Sequence, residues 1–210
     1  MAQRFTVHPT HPQPRLIRQA AAVVRAGGVI AYPTDSSYAL GCALGHAAAA
    51  QRIRRIRGID DEHPLTLVLH DLAALGQFAR LDNWQFRVVR QGVPGPFTFL
   101  LAASRQVPRR LHAPRRNTVG FRVPAHPVVG ALLEELGEPL LSSTLIVAGD
   151  ERPLNDADAI RERLERSLDA IVDAGPCPAE PTTVVDLSVD PPLVTRLGRG
   201  DPAKLGLAAA

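Results

Sequence analysis

The chain has 210 residues, of which 45% are hydrophobic and 21% are charged, and its formal net charge at pH 7 is +3. This composition is typical of a soluble globular protein and excludes a disordered chain of low hydrophobicity and high charge. The length predicts a single domain over residues 1–210. No apolar run reaches the roughly 18 residues of a membrane span, and no signal-peptide pattern opens the chain. We therefore expect a cytoplasmic protein with no membrane contact.

In chain order, the first half predicts an extended lead-in followed by helices and strands. Prolines at 9, 12 and 14 keep residues 1–13 extended. Glycines at 27 and 28 end the first helix, and an alanine run at 47–50 strengthens the second. The predicted helices are 15–26, 47–57, 71–79 and 83–91, and the predicted strands are 29–32, 65–69 and 97–102.

The second half predicts further strands and two helices. A helix at 128–136 ends at Gly137. The clearest amphipathic pattern predicts one helix over 157–172, with Ile160, Leu164, Leu168 and Ile171 along one stripe. Residues 208–210 are expected to fray. The predicted strands are 118–123, 140–144, 183–187 and 193–196.

The order of these elements predicts the α/β class. Several strands follow one another with only a turn between them, which favours a mixed parallel and antiparallel sheet flanked by helices over a uniformly parallel one. The sequence contains no P-loop, no dinucleotide fingerprint and no Gly-x-Ser-x-Gly elbow. Cys42 and Cys177 lack metal-ligand spacing, so neither a bound metal nor a disulfide is expected, and Cys42 reads as a core residue.

A turn rich in hydroxyl groups follows the strand at 29–32. It carries Thr34, Asp35, Ser36 and Ser37. Ligands often bind where the strands of an open α/β sheet end, and these groups suit an amino acid. A turn capped by its own side chains explains the same residues more simply. The sequence favours the capped turn.

Arginines stand out because Lys204 is the only lysine. Their number is explained best by a GC-rich genome, so only their positions argue for function. Arg55 and Arg57 lie at the end of a predicted helix, and Arg can hold two phosphate oxygens at once. Arg122 lies inside an apolar strand, where a charge needs a partner. A bound anion and an internal carboxylate explain Arg122 equally well.

Five motifs occur in the order found in the YrdC-like family of threonylcarbamoyl-AMP synthases, and the chain resembles most its YciO branch. Residues 33–41 read Pro-Thr-Asp-Ser-Ser-Tyr-Ala-Leu-Gly, and 55–57 read Arg-Ile-Arg. Residues 94–98 read Pro-Gly-Pro-Phe-Thr, 118–124 read Thr-Val-Gly-Phe-Arg-Val-Pro, and 181–186 read Pro-Thr-Thr-Val-Val-Asp. The resemblance covers about 15–200, which is the expected core of the domain.

The resemblance implies a twisted sheet of the YrdC-like (DHBP-synthase-like) fold around a basic concave groove. It also implies an enzyme that condenses L-threonine, bicarbonate and ATP, with Mg²⁺ accompanying the ATP, into threonylcarbamoyl-AMP for the t6A modification of tRNA. Binding of tRNA or double-stranded RNA is a further implied property. By matching motif positions, Arg55 and Arg57 would be catalytic. Threonine would be bound by Thr34, Ser36, His63, Arg122 and Thr182, and the nucleotide by Arg55, Arg57, Thr118, Ser142, Thr144 and Arg196.

Two positions depart from the family pattern. The family's Lys-x-Arg is Arg55-Ile56-Arg57, and its Ser-x-Asn is Thr144-Leu145-Ile146, so an amide is replaced by an alkyl side chain. Both changes are those of the YciO branch. They favour a second interpretation, a non-catalytic protein of YciO type that binds a nucleotide or double-stranded RNA.

Overall fold

The computed structural model of the protein describes residues 1–111 and 117–207. The expectation for 208–210 lies outside the described residues. The helices are α1 Pro14–Arg25, α2 Ala47–Arg57, α3 Leu72–Phe78, α4 Asn83–Gly92, α5 Pro127–Leu136 and α6 Ala157–Leu164. Short 3-10 helices cover Arg109–Leu111 and Pro202–Leu205. No helix in this part of the chain is long and apolar enough to cross a membrane.

The strands form one mixed sheet. They are β1 Gln3–Thr6, β2 Ile30–Tyr32, β3 Ala39–Ala43, β4 Thr66–Val68, β5 Ala79–Arg80, β6 Phe97–Ala103, β7 Thr118–Arg122, β8 Leu140–Thr144, β9 Ala170–Asp173, β10 Thr183–Asp186 and β11 Leu193–Arg196. Their order is β1-β9-β2-β3-β8-β4-β7-β6-β10-β11, with β5 beside β6. Four pairs are parallel, namely β1/β9, β2/β9, β4/β7 and β6/β10. The predicted mixed sheet flanked by helices is confirmed.

Helices cover both faces of the sheet and bury two apolar clusters. Neighbouring residues of a strand point to opposite faces. Leu141 therefore joins the cluster under α2, α4 and α6, whereas Leu140 joins the cluster under α1 and α5. The second cluster takes residues from strands as far across the sheet as Val68 of β4, but none from β7, β6 or β10. From β3 to β10 this face also carries polar side chains, and they form the candidate site.

The single helix predicted over 157–172 is wrong. Helix α6 ends at Leu164, and residues Ala170–Asp173 form β9, a strand paired on both sides with β1 and β2. Ala170, Ile171 and Val172 are fully buried, as expected for a strand covered on both faces. The stripe Ile160, Leu164, Leu168 and Ile171 keeps its helical spacing into β9, so the local pattern could not show that pairing with distant strands ends the helix.

Three further strands were not predicted. Strand β1 lies in the predicted lead-in, β5 has only two residues, and β3 follows the hydroxyl-rich turn. Residues 39, 41 and 43 of β3 are Ala, Gly and Ala, which have low strand propensity. All five residues of β3 are nevertheless buried between β2 and β8. The remaining predicted helices and strands are confirmed within one residue at each end.

Candidate functional site

The polar part of the sheet face lines a cavity of about 280 Å³. This volume is near the lower end of the roughly 300–1,000 Å³ that is usual for small-molecule sites. Because alternate residues of a strand share a face, six neighbouring strands from β3 to β10 supply the floor. Among the floor residues are Thr66, Thr98, Arg122, Ser142, Thr144 and Val184.

Gly120 keeps the centre of this floor open. It lies on β7, two residues before Arg122 and on the same face. A Cβ atom at Gly120 would lie 3.1 Å from Thr66 Oγ1 and 3.3 Å from Thr98 Cγ2. The glycine of the Thr-x-Gly-x-Arg motif therefore gives the hydroxyl group of Thr66 and the methyl group of Thr98 room beside the arginine.

Arg57 enters the cavity from the C-terminal end of α2. The helix ends at Gly58, whose φ of 64° is the left-handed conformation that glycine adopts readily. Arg57 Nε donates to Ser143 Oγ at 3.0 Å, and its Nη1 donates to the carbonyl of Ile146 at 3.0 Å. These two bonds fix the guanidinium group and leave Nη2 available for a ligand.

Arg196 enters from β11 on the other side of the cavity. Its Nε and Nη2 donate to the carbonyl of Thr182 at 3.1 and 2.9 Å, and Nη2 also donates to Thr182 Oγ1 at 3.0 Å. Thr182 Oγ1 is in turn 2.8 Å from Thr98 Oγ1. The hydroxyl of Thr182 therefore orients Arg196 from within the protein.

Arg122 is paired with a carboxylate, which is one of the two partners that its sequence context predicts. Its Nη2 donates to Asp35 Oδ1, to Thr34 Oγ1 at 3.1 Å and to Ser36 Oγ at 2.9 Å. The side chain is only 7% exposed and lines the cavity, yet its Nε has no hydrogen-bond partner. Arg122 thus combines an internal ion pair with a buried donor that remains unused.

The turn at 33–38 is capped by its own side chains, as the sequence favours. Thr34 Oγ1 donates to the carbonyl of Ser37 at 2.6 Å and accepts from the backbone N–H groups of Ser36 and Ser37 at 3.2 Å. The carboxylate of Asp35 also accepts from the backbone of Ala125 at 3.0 Å. The turn is therefore rigid and holds Arg122 in place.

Two of the three arginines that line the cavity have no acidic partner among the described residues. Within residues 1–111 and 117–207, neither Arg57 nor Arg196 forms an ion pair with a carboxylate. Burial and the charge of Arg196 lower the pKa of Arg57, and burial and the charge of Arg122 lower the pKa of Arg196. Both remain charged, so an anionic ligand would relieve this repulsion.

His63 lies at the edge of the cavity, in the loop that follows α2. Its backbone N–H donates to Asp60 Oδ1 at 2.9 Å, which fixes the loop. Burial and then the charge of Arg57 lower the pKa of His63 below its usual value of 6.5. The imidazole is therefore neutral at pH 7 and can accept a proton or a hydrogen bond.

Seven of the predicted site residues line the cavity together. They are Arg57, His63, Arg122, Ser142, Thr144, Thr182 and Arg196. Thr34 and Ser36 are buried behind Arg122 and contact it directly. Arg55 is exposed on α2 and Thr118 is buried at the start of β7, and neither lines the cavity.

Sequence reasoning did not single out several further lining residues, among them Thr66, Thr98, Ser143 and Thr195. For the first two a signal was present, since each threonine is the single polar residue of an otherwise apolar strand. Their positions become meaningful only when β4 and β6 are placed on either side of β7. That order of strands is not readable from local pattern.

Comparison with known proteins identifies the chain's relatives. The family model for Sua5, YciO and YrdC proteins, described as telomere recombination, matches residues 22–198. YciO of Escherichia coli K12 is 48% identical over 96% of this chain and 98% of its own length. The crystal structure of E. coli YciO superimposes with a TM-score of 0.94 at 47% identity, covering 98% of this chain and 100% of that one.

More distant relatives carry functional names. The threonylcarbamoyl-AMP synthase of Halorhodospira halophila is 33% identical over 78% of this chain and 85% of its own length. The structure of Pyrococcus abyssi Sua5 in complex with L-threonine superimposes with a TM-score of 0.85 at 27% identity, covering 93% of this chain and 57% of that one. The cavity, the ordered motifs and these matches agree that the chain belongs to the Sua5/YciO/YrdC family.

Proposed function

We propose that the protein is a nucleotidyltransferase that forms threonylcarbamoyl-AMP, or a close analogue, from L-threonine, bicarbonate and ATP. The observation that carries the proposal is the cavity with three guanidinium groups, of which Arg57 and Arg196 have no acidic partner in the described part of the chain. A substrate that brings several negative charges would satisfy them. The relatives named as synthases and the Sua5 complex with L-threonine support this choice of substrates.

The carboxylate of the amino acid would bind beside Arg122. Its unpartnered Nε is a buried donor, and hydrogen bonds that involve a charged group are worth about 1.5–3 kcal/mol. Asp35, Thr34 and Ser36 all accept from Nη2 and leave Nε without a partner. Asp35 neutralises part of the charge, so Arg122 suits a single carboxylate better than a polyphosphate.

The phosphates of ATP would lie between Arg57 and Arg196. These two side chains approach the cavity from α2 and β11, and each is fixed by hydrogen bonds to the protein. Fixed donors stabilise charge that develops on a leaving group without having to reorganise. The neighbouring hydroxyls of Ser143 and Thr144 would contact the remaining phosphate oxygens.

No carboxylate lines the cavity among the described residues. Mg²⁺ usually keeps several of its waters and is held by substrate phosphates with one or two carboxylates. The ion that accompanies ATP would therefore be bound by phosphate and water, as part of the substrate.

The reaction requires positioning more than acid–base catalysis. The amine nitrogen of threonine forms a bond to the carbon of bicarbonate, and loss of water leaves a carbamate. A carbamate oxygen then attacks the α-phosphorus, the bond to the bridging oxygen of the β-phosphate breaks, and pyrophosphate leaves. The neutral His63 at the cavity edge would accept the proton that the ammonium group of threonine must lose before its nitrogen attacks bicarbonate. The cavity brings the reactants together and neutralises their charge.

A direct assay tests the proposal. The purified protein is incubated with α-labelled ATP, Mg²⁺, L-threonine and bicarbonate, and pyrophosphate and the labelled adenylate are quantified. Matched reactions omit threonine or bicarbonate. Arg161→Gln serves as the control variant for Arg122→Gln, because Arg161 is exposed on α6 at the opposite face of the sheet.

Two results would change the conclusion. Absence of both pyrophosphate and adenylate would refute the proposed synthase activity. Binding of ATP without turnover, measured by a rise in melting temperature, would instead favour the non-catalytic nucleotide-binding protein.

A further inference from the structure

Ser142, on the cavity floor, is held by a buried tyrosine. Tyr32 of β2 is fully buried, and its hydroxyl lies 2.6 Å from Ser142 Oγ. Ser142 Oγ in turn donates to the backbone carbonyl of Leu40 at 2.8 Å. The three groups form a chain that crosses from β2 over β3 to β8.

Each of the two hydroxyl groups has one proton to donate, and this decides which atom is the donor in each hydrogen bond. A carbonyl oxygen only accepts, so the proton of Ser142 is used by Leu40. Tyr32 must therefore donate to Ser142. Burial raises the pKa of Tyr32 to about 12, so the phenol keeps its proton over the whole physiological range.

Gly41 makes the chain possible. It lies opposite Ser142 in the pairing of β3 with β8, directly beneath the ring of Tyr32. A Cβ atom at Gly41 would lie 2.7 Å from Cε1 of Tyr32, closer than carbon atoms pack. The final glycine of the motif at 33–41 therefore leaves space for a tyrosine ring to reach across a strand.

We propose that Tyr32 is a positioning residue: its donated hydrogen bond holds Ser142 Oγ in the orientation in which the serine proton stays on the carbonyl of Leu40 and a lone pair of the oxygen faces the cavity. A serine oxygen has two lone pairs, and Tyr32 occupies only one of them. Ser142 lines the cavity, so a ligand that reaches it meets a lone pair and no available proton. The ligand group at this position must carry an N–H or O–H donor, and a carboxylate or phosphate is rejected.

This inference rests on the proposed function and defines the orientation of its amino acid. It assigns Ser142 to the amino acid in place of the nucleotide contact that the family resemblance implies. The anionic end of the substrate is directed toward the guanidinium groups, and its amino or hydroxyl end toward Ser142. Ser142 Oγ and the guanidinium groups thus bind opposite ends of the amino acid within one small cavity.

The test measures the affinities of L-threonine and of inorganic pyrophosphate by calorimetry. Tyr32→Phe keeps the ring and removes the donor, and Ser142→Ala removes the acceptor. Tyr38→Phe is the matched control, because Tyr38 is also fully buried and donates to the carbonyl of Gly175 at 2.9 Å, away from the cavity.

Tyr32→Phe is expected to weaken threonine binding by about five- to tenfold and Ser142→Ala by about tenfold, a factor that corresponds to about 1.4 kcal/mol. The double variant should bind no more weakly than Ser142→Ala alone, because Tyr32 acts through Ser142 and the two effects are not additive. Pyrophosphate affinity should be unchanged in both single variants.

An unchanged threonine affinity in Tyr32→Phe would overturn the inference while leaving the proposed function intact. So would additive losses in the double variant, or equal losses for threonine and pyrophosphate, since these indicate a general structural role. Failure of the wild-type protein to bind threonine would overturn the proposed function, and the inference with it.

Discussion

Arg55 and Arg57 give the sharpest test of the candidate site, because they are two residues apart and the structure places them differently. Family resemblance implies nucleotide contacts for both. Arg57 lines the cavity, whereas Arg55 is exposed on α2 and is not part of the lining. We expect Arg57→Gln to weaken ATP binding strongly and Arg55→Gln to change it less than about threefold, which is below 1 kcal/mol.

The magnitude follows from the contacts of Arg57. Ser143 Oγ and the carbonyl of Ile146 already use Nε and Nη1, so Nη2 is left to donate to a phosphate. One charge-assisted hydrogen bond is worth about 1.5–3 kcal/mol. At about 1.4 kcal/mol for each factor of ten, Arg57→Gln should weaken ATP binding by about ten- to 150-fold.

Stability should respond differently from binding. The charge of Arg57 is destabilised by burial and by Arg196, and the substitution removes it. The loss of two hydrogen bonds opposes this gain, so the net change should stay within about 1 kcal/mol, or roughly 2–4 °C in melting temperature for a chain of this size. A variant that binds poorly but melts like wild type would separate function from folding.

The assay is calorimetric titration of each variant with ATP and Mg²⁺, with melting temperatures recorded in parallel. Arg57→Gln with wild-type affinity would refute the assignment of Arg57 to the phosphates. Equal losses in both variants would show that the exposed face of α2 also contacts the nucleotide, and would contradict the different roles assigned to the two arginines.

Three further predictions concern the framework of the site. Arg122→Ala should destabilise the protein by about 3–5 kcal/mol in denaturant unfolding, because it leaves the buried Asp35 carboxylate unpaired; Arg122→Ala with Asp35→Asn should recover part of the loss, and no recovery would contradict this account. Burial lowers the pKa of His126 below 6.5, so the unfolded state binds protons more readily than the folded state. The free energy of unfolding should therefore fall as the pH drops below about 6.5. His126→Asn should make this pH dependence less steep, and an equally steep curve would exclude His126 as its source. Gly41→Ala should cost about 1–3 kcal/mol through its clash with the tyrosine ring of β2, whereas Gly130→Ala, with open space around it, should be neutral or stabilising; equal effects would refute the packing argument.

Local pattern predicted most of the fold because helix caps and apolar runs are encoded within a few residues. The helix at 47–57 and the strands at 140–144 and 193–196 were placed correctly to the residue. The predictions for the segments that form β3 and β9 were wrong for opposite reasons. The first is too poor in strand-forming residues, and the second continues an amphipathic period. In both cases pairing with distant strands determines the conformation.

The sequence predicted which types of residue belong to the site, but not how they are arranged or which of them contact one another. A charged residue in an apolar strand indicated that Arg122 needs a partner, and motif order brought Ser142, Thr182 and Arg196 into consideration. Nothing local indicated that Asp35, from the turn after β2, is the carboxylate that pairs with Arg122. The sequence also could not show that Arg57 rather than Arg55 reaches the cavity, because residues two apart in a helix point to different faces.

The structure shows what residue 146, where the family has asparagine and this chain has isoleucine, contributes to the site. The side chain of Ile146 does not line the cavity, but its backbone carbonyl accepts from Arg57 Nη1 at 3.0 Å. A backbone contact survives any substitution that keeps the loop, so the orientation of Arg57 does not depend on an amide at this position. The departure from the family pattern therefore leaves the hydrogen bonds that orient Arg57 intact.

The strongest physical sign of an anionic ligand is the contrast among the chain's own arginines. Arg4, Arg122 and Arg163 each have an aspartate partner, although Arg4 and Arg163 are more exposed than Arg122. Arg57 is partly buried, Arg196 is exposed on β11, and neither has a carboxylate partner in the described part of the chain. Burial and the charge of Arg196 lower the pKa of Arg57. For Arg57 a purely structural role would favour a carboxylate partner, because an unpaired buried charge is costly. The two unpaired guanidinium groups are explained most directly by a partner that arrives with the substrate.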